Sequence, residues 1–274
     1  MKAYFTYVKK TRPTGKALAR ELGIPFGIKT PEGPLDLLIR WGSRKPMPLA
    51  NIELNNANAI HRASDKLETY SYLYQAGIPV IFMTPDYEQA WYHCQTDFVF
   101  GRSRYGHGGK DIVVYRRGEQ PVQEHDFYSP YYECRNEVRI HVVRDKVVRV
   151  QRKYLDHPEK DHLGLIKNYK HGYRFRAPGY QLRPARRNDA IRAVKELGLD
   201  FGAVDMLVWG DRGHMILEVN TAPGCSPLTL RCYAGEIALQ VLRETKGEIK
   251  LAPHLLEEEL PEDELEDEDL EGWG

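Results

Sequence analysis

The stretch DFGAVDMLVWGDRGHMILEVNTAPG, residues 200–224, carries the most pointed chemistry in this chain. Two apolar-rich runs flank Gly210-Asp211-Arg212-Gly213, a composition that predicts a hairpin. With Gly210 opposite Gly213 in a symmetric turn, Asp205 falls opposite Glu218. Asn220 lies two residues further on, hence on the same strand face as Glu218. Adjacent carboxylates repel unless a cation lies between them, and with an amide oxygen they make a hard-oxygen set suited to Mg²⁺. A solvent-facing strand decorated with acids is the competing reading of the pattern alone.

A second cluster is SRYGHGGK, between the strand-like runs DFVFGR and DIVVYR in residues 97–116. Gly106, Gly108 and Gly109 can bare successive backbone N–H groups and admit anionic oxygens closely, with His107 and Lys110 beside them. In isolation an ordinary mobile hairpin turn is the commoner explanation. From Glu137, EVRIHVVRDKVVRVQRK alternates about Asp145-Lys146 as an antiparallel hairpin should. Alternation puts Arg139 and His141 on one face, and Arg149, Gln151 and Lys153 on one face of the returning strand. The result is a basic wall or, more blandly, a solvated hairpin face.

The surrounding elements follow from periodicity. KAYFTYV reads as a strand, TGKALARELG as a helix ended by Gly23, and LLIRWG as a second strand, a small α/β unit ending near residue 62. SDKLETYSYLYQAGIPVIF predicts a helix capped by Ser64, with Leu67, Tyr70, Leu73 and Tyr74 on one side, then a strand after Gly77-Ile78-Pro79. RRNDAIRAVKELG forms a helix ended by Gly198, and a last helix runs around 229–244. The expected division is 1–62, an N-terminal α/β domain; 63–128, a central lobe with the glycine-rich lid; 129–252, a C-terminal lobe with the metal site; and 253–274, an acidic tail expected to be disordered.

Composition bounds the partners. Hydrophobic residues make up 42% and charged residues 28%, as in ordinary globular chains. The polar N-terminus lacks a signal-peptide core, and no run has membrane-span length, so a cytoplasmic protein without a membrane partner is expected. Cys94, Cys134, Cys225 and Cys232 show no CxxC or disulfide spacing and receive no function. Eleven of the 39 acidic residues fall in 257–274, which has no Lys or Arg, so residues 1–256 keep 39 basic and 28 acidic residues, a net +11. A basic body favours anionic ligands such as nucleotides, nucleic acid or acidic peptides.

The hairpin followed by NTAPG resembles the ATP-grasp superfamily. That resemblance implies an α/β fold (α+β lobes) in which a small N-terminal α/β domain precedes two lobes sandwiching ATP. It implies that Lys66 and Arg102, the latter where Lys is usual, grip the phosphates beneath a lid of Gly106, His107, Gly108 and Gly109. It places Tyr131, Tyr132, Glu133 and Lys153 around the nucleotide, and two Mg²⁺ ions on Asp205, Glu218 and Asn220. YYECRNEVRIHVV followed by NYKHGYRF is similar to carboxylate–amine ligases often encoded by bacteriophages, through Tyr131, Glu137, Arg139, His141, Asn168 and Gly172. The likeness runs from about residue 37 to 245 and extends distantly to the glutamate ligases that lengthen a ribosomal protein.

The function so implied is an ATP-dependent ligase that activates a carboxylate as an acyl-phosphate, passes it to an amine and releases ADP and phosphate. A phage-encoded member would work in its host's cytoplasm. Arg139 would stabilise the developing oxyanion, and His141 and Asn168 would face a small-molecule or peptide substrate. Two alternatives share the ATP grip: phosphoryl transfer to another acceptor, and a non-catalytic, nucleotide-gated nucleic-acid-binding module. Either way, the basic body offers a surface for an anionic partner.

Overall fold

The computed structural model describes residues 2–106, 109, 111–160, 164–177, 182–210, 213–249 and 251. In chain order the elements are β1 (Ala3–Tyr7), α1 (Arg12–Glu21), β2 (Phe26–Gly27), β3 (Leu35–Trp41), β4 (Ala50–Leu54), α2 (Ala57–Ser64), α3 (Lys66–Gln75) and α4 (Tyr87–Tyr92). They continue with β5 (Phe98–Arg102), β6 (Val113–Arg116), β7 (Phe127–Pro130), β8 (Asn136–Val143), β9 (Lys146–Leu155), β10 (Tyr173–Arg176), α5 (Pro184–Glu196), β11 (Phe201–Val208), β12 (His214–Asn220) and α6 (Pro227–Glu244). The chain divides into two compact units, Met1–Ala57 with Ala222–Gly274, and Asn58–Thr221.

The first unit is a parallel sheet in the order β2-β1-β3-β4. Parallel neighbours need a crossover, and α1 supplies it between β1 and β2. Proline in its first turn suits the helix start, and Gly23 at φ 65° ends it in a conformation that favours glycine. Leu18 and Ala19 are buried, and Trp41 meets Tyr233 of α6 edge-on at 5.4 Å. The last helix therefore belongs with the N-terminal strands, whereas the sequence placed it in the lobe 129–252.

The second unit holds an antiparallel sheet in the order β10-β9-β8-β11-β12 and a smaller one, β6-β5-β7. The five-stranded sheet turns Val138, Ile140, Val142, Val204 and Met206 toward Ala190, Ala193 and Val194 of α5 and Leu197 at its C-cap. All eight residues of β11 are buried, so its other face is also covered, and polar groups interrupt that face. Glu137, Arg139, His141 and Asp205 occupy it by strand alternation.

Local expectations fail where a tertiary contact outweighs the pattern. Asp65, not Ser64, caps α3, accepting from the N–H groups of Leu67 and Glu68 at 3.1 and 3.2 Å. Ser64 instead ends α2 and donates to the Ile60 carbonyl at 2.7 Å. Tyr74 is 68% exposed, because its ring stacks on Tyr70 outside the core. After Pro79 the backbone makes only single bridges, Val80 to Ile216 and Thr84 to Tyr128, in place of a full strand. The short strands β2 and β4 had no distinct sequence signal.

Candidate active site

The hairpin of β11 and β12 does bring Asp205 opposite Glu218 and Ala203 opposite Asn220, but not through a symmetric turn. Nearer the loop the partners are Val208 with His214 and Met206 with Ile216, one residue off the expected pairing. A β-bulge between Asp205 and Met206 absorbs Leu217 and restores the register at the carboxylates. Arg186 of α5 donates to the Gly210 carbonyl and pins the turn.

β8 lies on the other side of β11, with Arg139 opposite Asp205. The guanidinium forks onto the carboxylate, Nε to Oδ1 at 2.7 Å and Nη2 to Oδ2 at 2.8 Å, and its carbon sits 4.1 Å from the centre of the Phe175 ring. Asp205 is 2% exposed. Burial alone would raise its pKa, yet the charge and hydrogen bonds of Arg139 hold it below the usual carboxylate range. Asn220 turns Nδ2 toward Glu218 Oε1 at 3.0 Å and Asp205 Oδ2 at 3.3 Å. Rotation of that amide exchanges its donor for its oxygen, which would then complete a three-oxygen set next to the two carboxylates. The donor set fits Mg²⁺ in this way. Among the described residues no group of three or more His, Cys, Asp or Glu is placed to hold a metal.

Lys66 and Arg102, the two cations expected at the phosphates, form no salt bridge among the described residues, although the charge of Glu218 acts on both. Arg102 ends β5, its Nε is buried with no hydrogen bond among the described residues, and its guanidinium carbon lies 5.2 Å from the Phe100 ring. Burial lowers its pKa to about 10, against the nearby charges of Glu218 and Glu137, so it stays protonated at neutral pH. Lys66 opens α3 and donates to the Gly106 carbonyl, while desolvation lowers its pKa against the pull of Glu218. A guanidinium with an unmet Nε and an ammonium on a neutral carbonyl, with no other hydrogen bond among the described residues, suit an anionic ligand such as a polyphosphate.

The base of the glycine-rich turn is tied to α3 through Asp65, whose Oδ2 accepts from Arg104 Nε at 2.6 Å and Tyr105 at 3.1 Å. Gly106 and Gly109 are described; His107, Gly108 and Lys110 lie outside the described residues. Gly109, at φ 69°, comes so close to Asn168 that an added Cβ would sit 2.9 Å from its Nδ2. Asn168 itself caps the short turn Tyr169–His171, accepting from the His171 N–H at 3.0 Å.

Two expected ligand contacts are engaged within the protein instead. Lys153 pairs with Glu137, opposite it across β8 and β9, and donates to the Lys167 carbonyl at 2.9 Å. His141 was expected to face substrate. It is 0% exposed and shares a 2.8 Å hydrogen bond with Gln151, because a central strand sandwiched on both faces leaves its ring no route to solvent. Burial drops its pKa to about 4, so the ring is neutral and supports the face from behind.

Tyr131, Tyr132 and Glu133 lie in the segment joining the three-stranded sheet to the five-stranded one. The Tyr131 N–H donates to Phe98 at 2.9 Å, the Tyr132 hydroxyl accepts from the Phe82 N–H at 3.2 Å, and Glu133 is exposed with its carbonyl accepting from the Trp209 indole. The sequence reading overlooked Asp65 and Phe175. The Asp-Lys step at the start of α3 signals the first as a cap, whereas nothing local signals the second.

The sequence matches no protein-family model and no curated protein. Solved structures do share its chain path. PsnB, an ATP-grasp ligase solved with its minimal precursor, is 13% identical with a TM-score of 0.62, covering 84% of this chain and 97% of that one. D-alanine–D-alanine ligase from Bacillus anthracis is 12% identical with a TM-score of 0.63, covering 89% of this chain and 97% of that one. The fold is the ATP-grasp fold. The macrocyclase MdnC from Microcystis aeruginosa MRC, bound with precursor peptide MdnA, shares the ATP-grasp path at 14% identity and a TM-score of 0.53, covering 86% of this chain and 98% of that one. At these identities the likeness is one of ATP-grasp architecture. The Bacillus anthracis ligase has been solved with ATP, and PsnB with Mg and ADP. No helix among the described residues is long and apolar enough to cross a membrane.

Proposed function

We propose that this chain is an ATP-dependent ligase of the carboxylate–amine type, related to the phage-encoded subgroup, which makes an acyl-phosphate and releases ADP and phosphate. The observation that carries the reading is one row across the sheet, Gln151, Arg139, Asp205 and Glu218, with Asn220 beside it and two cations, Lys66 and Arg102, that form no salt bridge among the described residues. Structural support needs no such concentration of buried charge, because apolar residues of similar volume would stabilise the sheet as well.

Phosphoryl transfer to a carboxylate crowds anionic oxygens together, so charge neutralisation is the central task. Mg²⁺, as two ions held by Asp205, Glu218 and Asn220, would supply part of it. Lys66 and Arg102 bind the phosphates, and Gly106 and Gly109 with the rest of the turn keep water from the activated acid. Tyr131, Tyr132 and Glu133 line the nucleotide's base, and Lys153 holds Glu137 in place. Arg139, oriented by Asp205 and Phe175, stabilises the oxyanion formed when the amine attacks. Asn168, which caps the turn Tyr169–His171 and abuts Gly109, contacts the substrate. The acid and amine are small molecules or peptides.

The test is a screen of amino acids, polyamines and peptides for acceptor-dependent release of ADP and phosphate, with mass spectrometry of the product. A condensed product formed with one ADP and one phosphate is the expected result. Stoichiometric AMP, or a phosphorylated acceptor without an amide, would overturn the acyl-phosphate route.

A further inference from the structure

The face of β9 and β10 turned away from the candidate site carries a separate constellation. Strand alternation sends Lys153 and Phe175 to the site, and sends Arg152, Tyr154, Arg174 and Arg176 to the opposite face. There Arg152 stands opposite Arg176, and Tyr154 opposite Arg174. α5 covers the same face over β8 and β11 through Val138, Ile140 and Val142, and β10 is the edge of the sheet.

The three guanidinium groups are held rather than loose. Arg152 lies 4.8 Å from the Tyr154 ring, and Arg174 lies 3.3 Å from the Tyr169 ring with Nη1 on the Tyr169 and Tyr173 carbonyls, each at 3.0 Å. Arg176 pairs with Asp156 at 2.9 Å and is exposed. The Nε of Arg152 is buried and makes no hydrogen bond among the described residues. Leaving such a donor unmade is costly unless an acceptor reaches it.

We propose that this face binds an extended acidic peptide. Side chains two apart along a strand project to one face at a spacing of about 7 Å, which matches alternate side chains of a second extended chain. Arg174 and Arg176 have that relationship on β10, with Arg152 beside Arg176 on β9, and forked guanidinium groups suit carboxylates. Single-stranded nucleic acid fits less well, because its bases need open aromatic faces and the two tyrosines already have an arginine over them. The inference is independent of ligase activity, and its test reads binding without turnover.

Fluorescence anisotropy of a labelled peptide of alternating glutamate and threonine, added to the full-length protein at low and moderate salt, gives the measurement. Arg152→Gln and Arg176→Gln should each weaken binding, the pair by roughly tenfold or more, with unchanged thermal stability and ATP binding. Lys195→Gln, an exposed residue of α5, should have no effect. An equal loss in the Lys195 variant, no loss in the arginine variants, or tighter binding of oligouridine than of the peptide would each overturn the proposal.

Discussion

Arg139 and Asp205, 66 residues apart in sequence, face each other on neighbouring antiparallel strands and pair through two hydrogen bonds of 2.7 and 2.8 Å. The proposed oxyanion-stabilising cation and a proposed metal ligand therefore form one buried unit, so neither can be altered without disturbing the other.

Asp205→Asn and Glu218→Gln should differ in kind. Asp205→Asn strands a largely buried guanidinium, so it should cost about 3–5 kcal/mol of stability as well as turnover. Glu218→Gln keeps an oxygen for Asn220 and should stay within about 1 kcal/mol of the parent in stability, while turnover falls on the order of 10²-fold or more. Denaturant titrations beside rate measurements separate the two. A Glu218→Gln enzyme with parental turnover at limiting Mg²⁺ would remove the metal assignment.

Coupling should be visible in a double-mutant cycle. Arg139→Gln and Asp205→Asn together should be less destabilising than the sum of the singles by about 1–3 kcal/mol, because each single variant leaves its partner unpaired. Additive effects would mean that the pair contributes little.

Stability should fall on the acid side in a range set by His141. Its folded pKa of about 4 lies below the ordinary 6.5, so the unfolded chain takes up the proton first. The contribution is whole above pH 6.5 and is lost as pH falls toward about 4, a total of about 3 kcal/mol at most. Asp205 is depressed below 3.8, and its share disappears only at still lower pH. Chemical denaturation from pH 4 to 8 should show the first loss in the parent and a flatter profile in His141→Gln; parallel profiles would contradict the assignment.

Arg102→Gln should move stability and nucleotide affinity in opposite directions. Removing a guanidinium whose Nε has no partner among the described residues should leave the melting temperature unchanged or higher, whereas ATP affinity should drop about tenfold. Calorimetric titration with ATP and a thermal melt of the free protein give both readings. Unaltered affinity would take Arg102 out of the phosphate grip.

Local signals survived into the structure wherever the deciding interactions lie close in sequence. The helix ended by Gly23, the hairpin about Asp145 and the pairing of Asp205 with Glu218 all depend on backbone conformation and alternation within a few residues. The bulge at Leu217 was hidden, since the end-to-end count of the hairpin is the same for a symmetric turn as for a tighter one with an extra residue. Non-local strand order decided the rest. Only the placement of β8 between β9 and β11 joins Arg139 to Asp205, commits Lys153 to Glu137 and seals His141 from solvent. Sequence alternation assigns a side chain to a face, whereas a partner and a degree of burial depend on which distant strand comes to lie alongside, and no single segment encodes that.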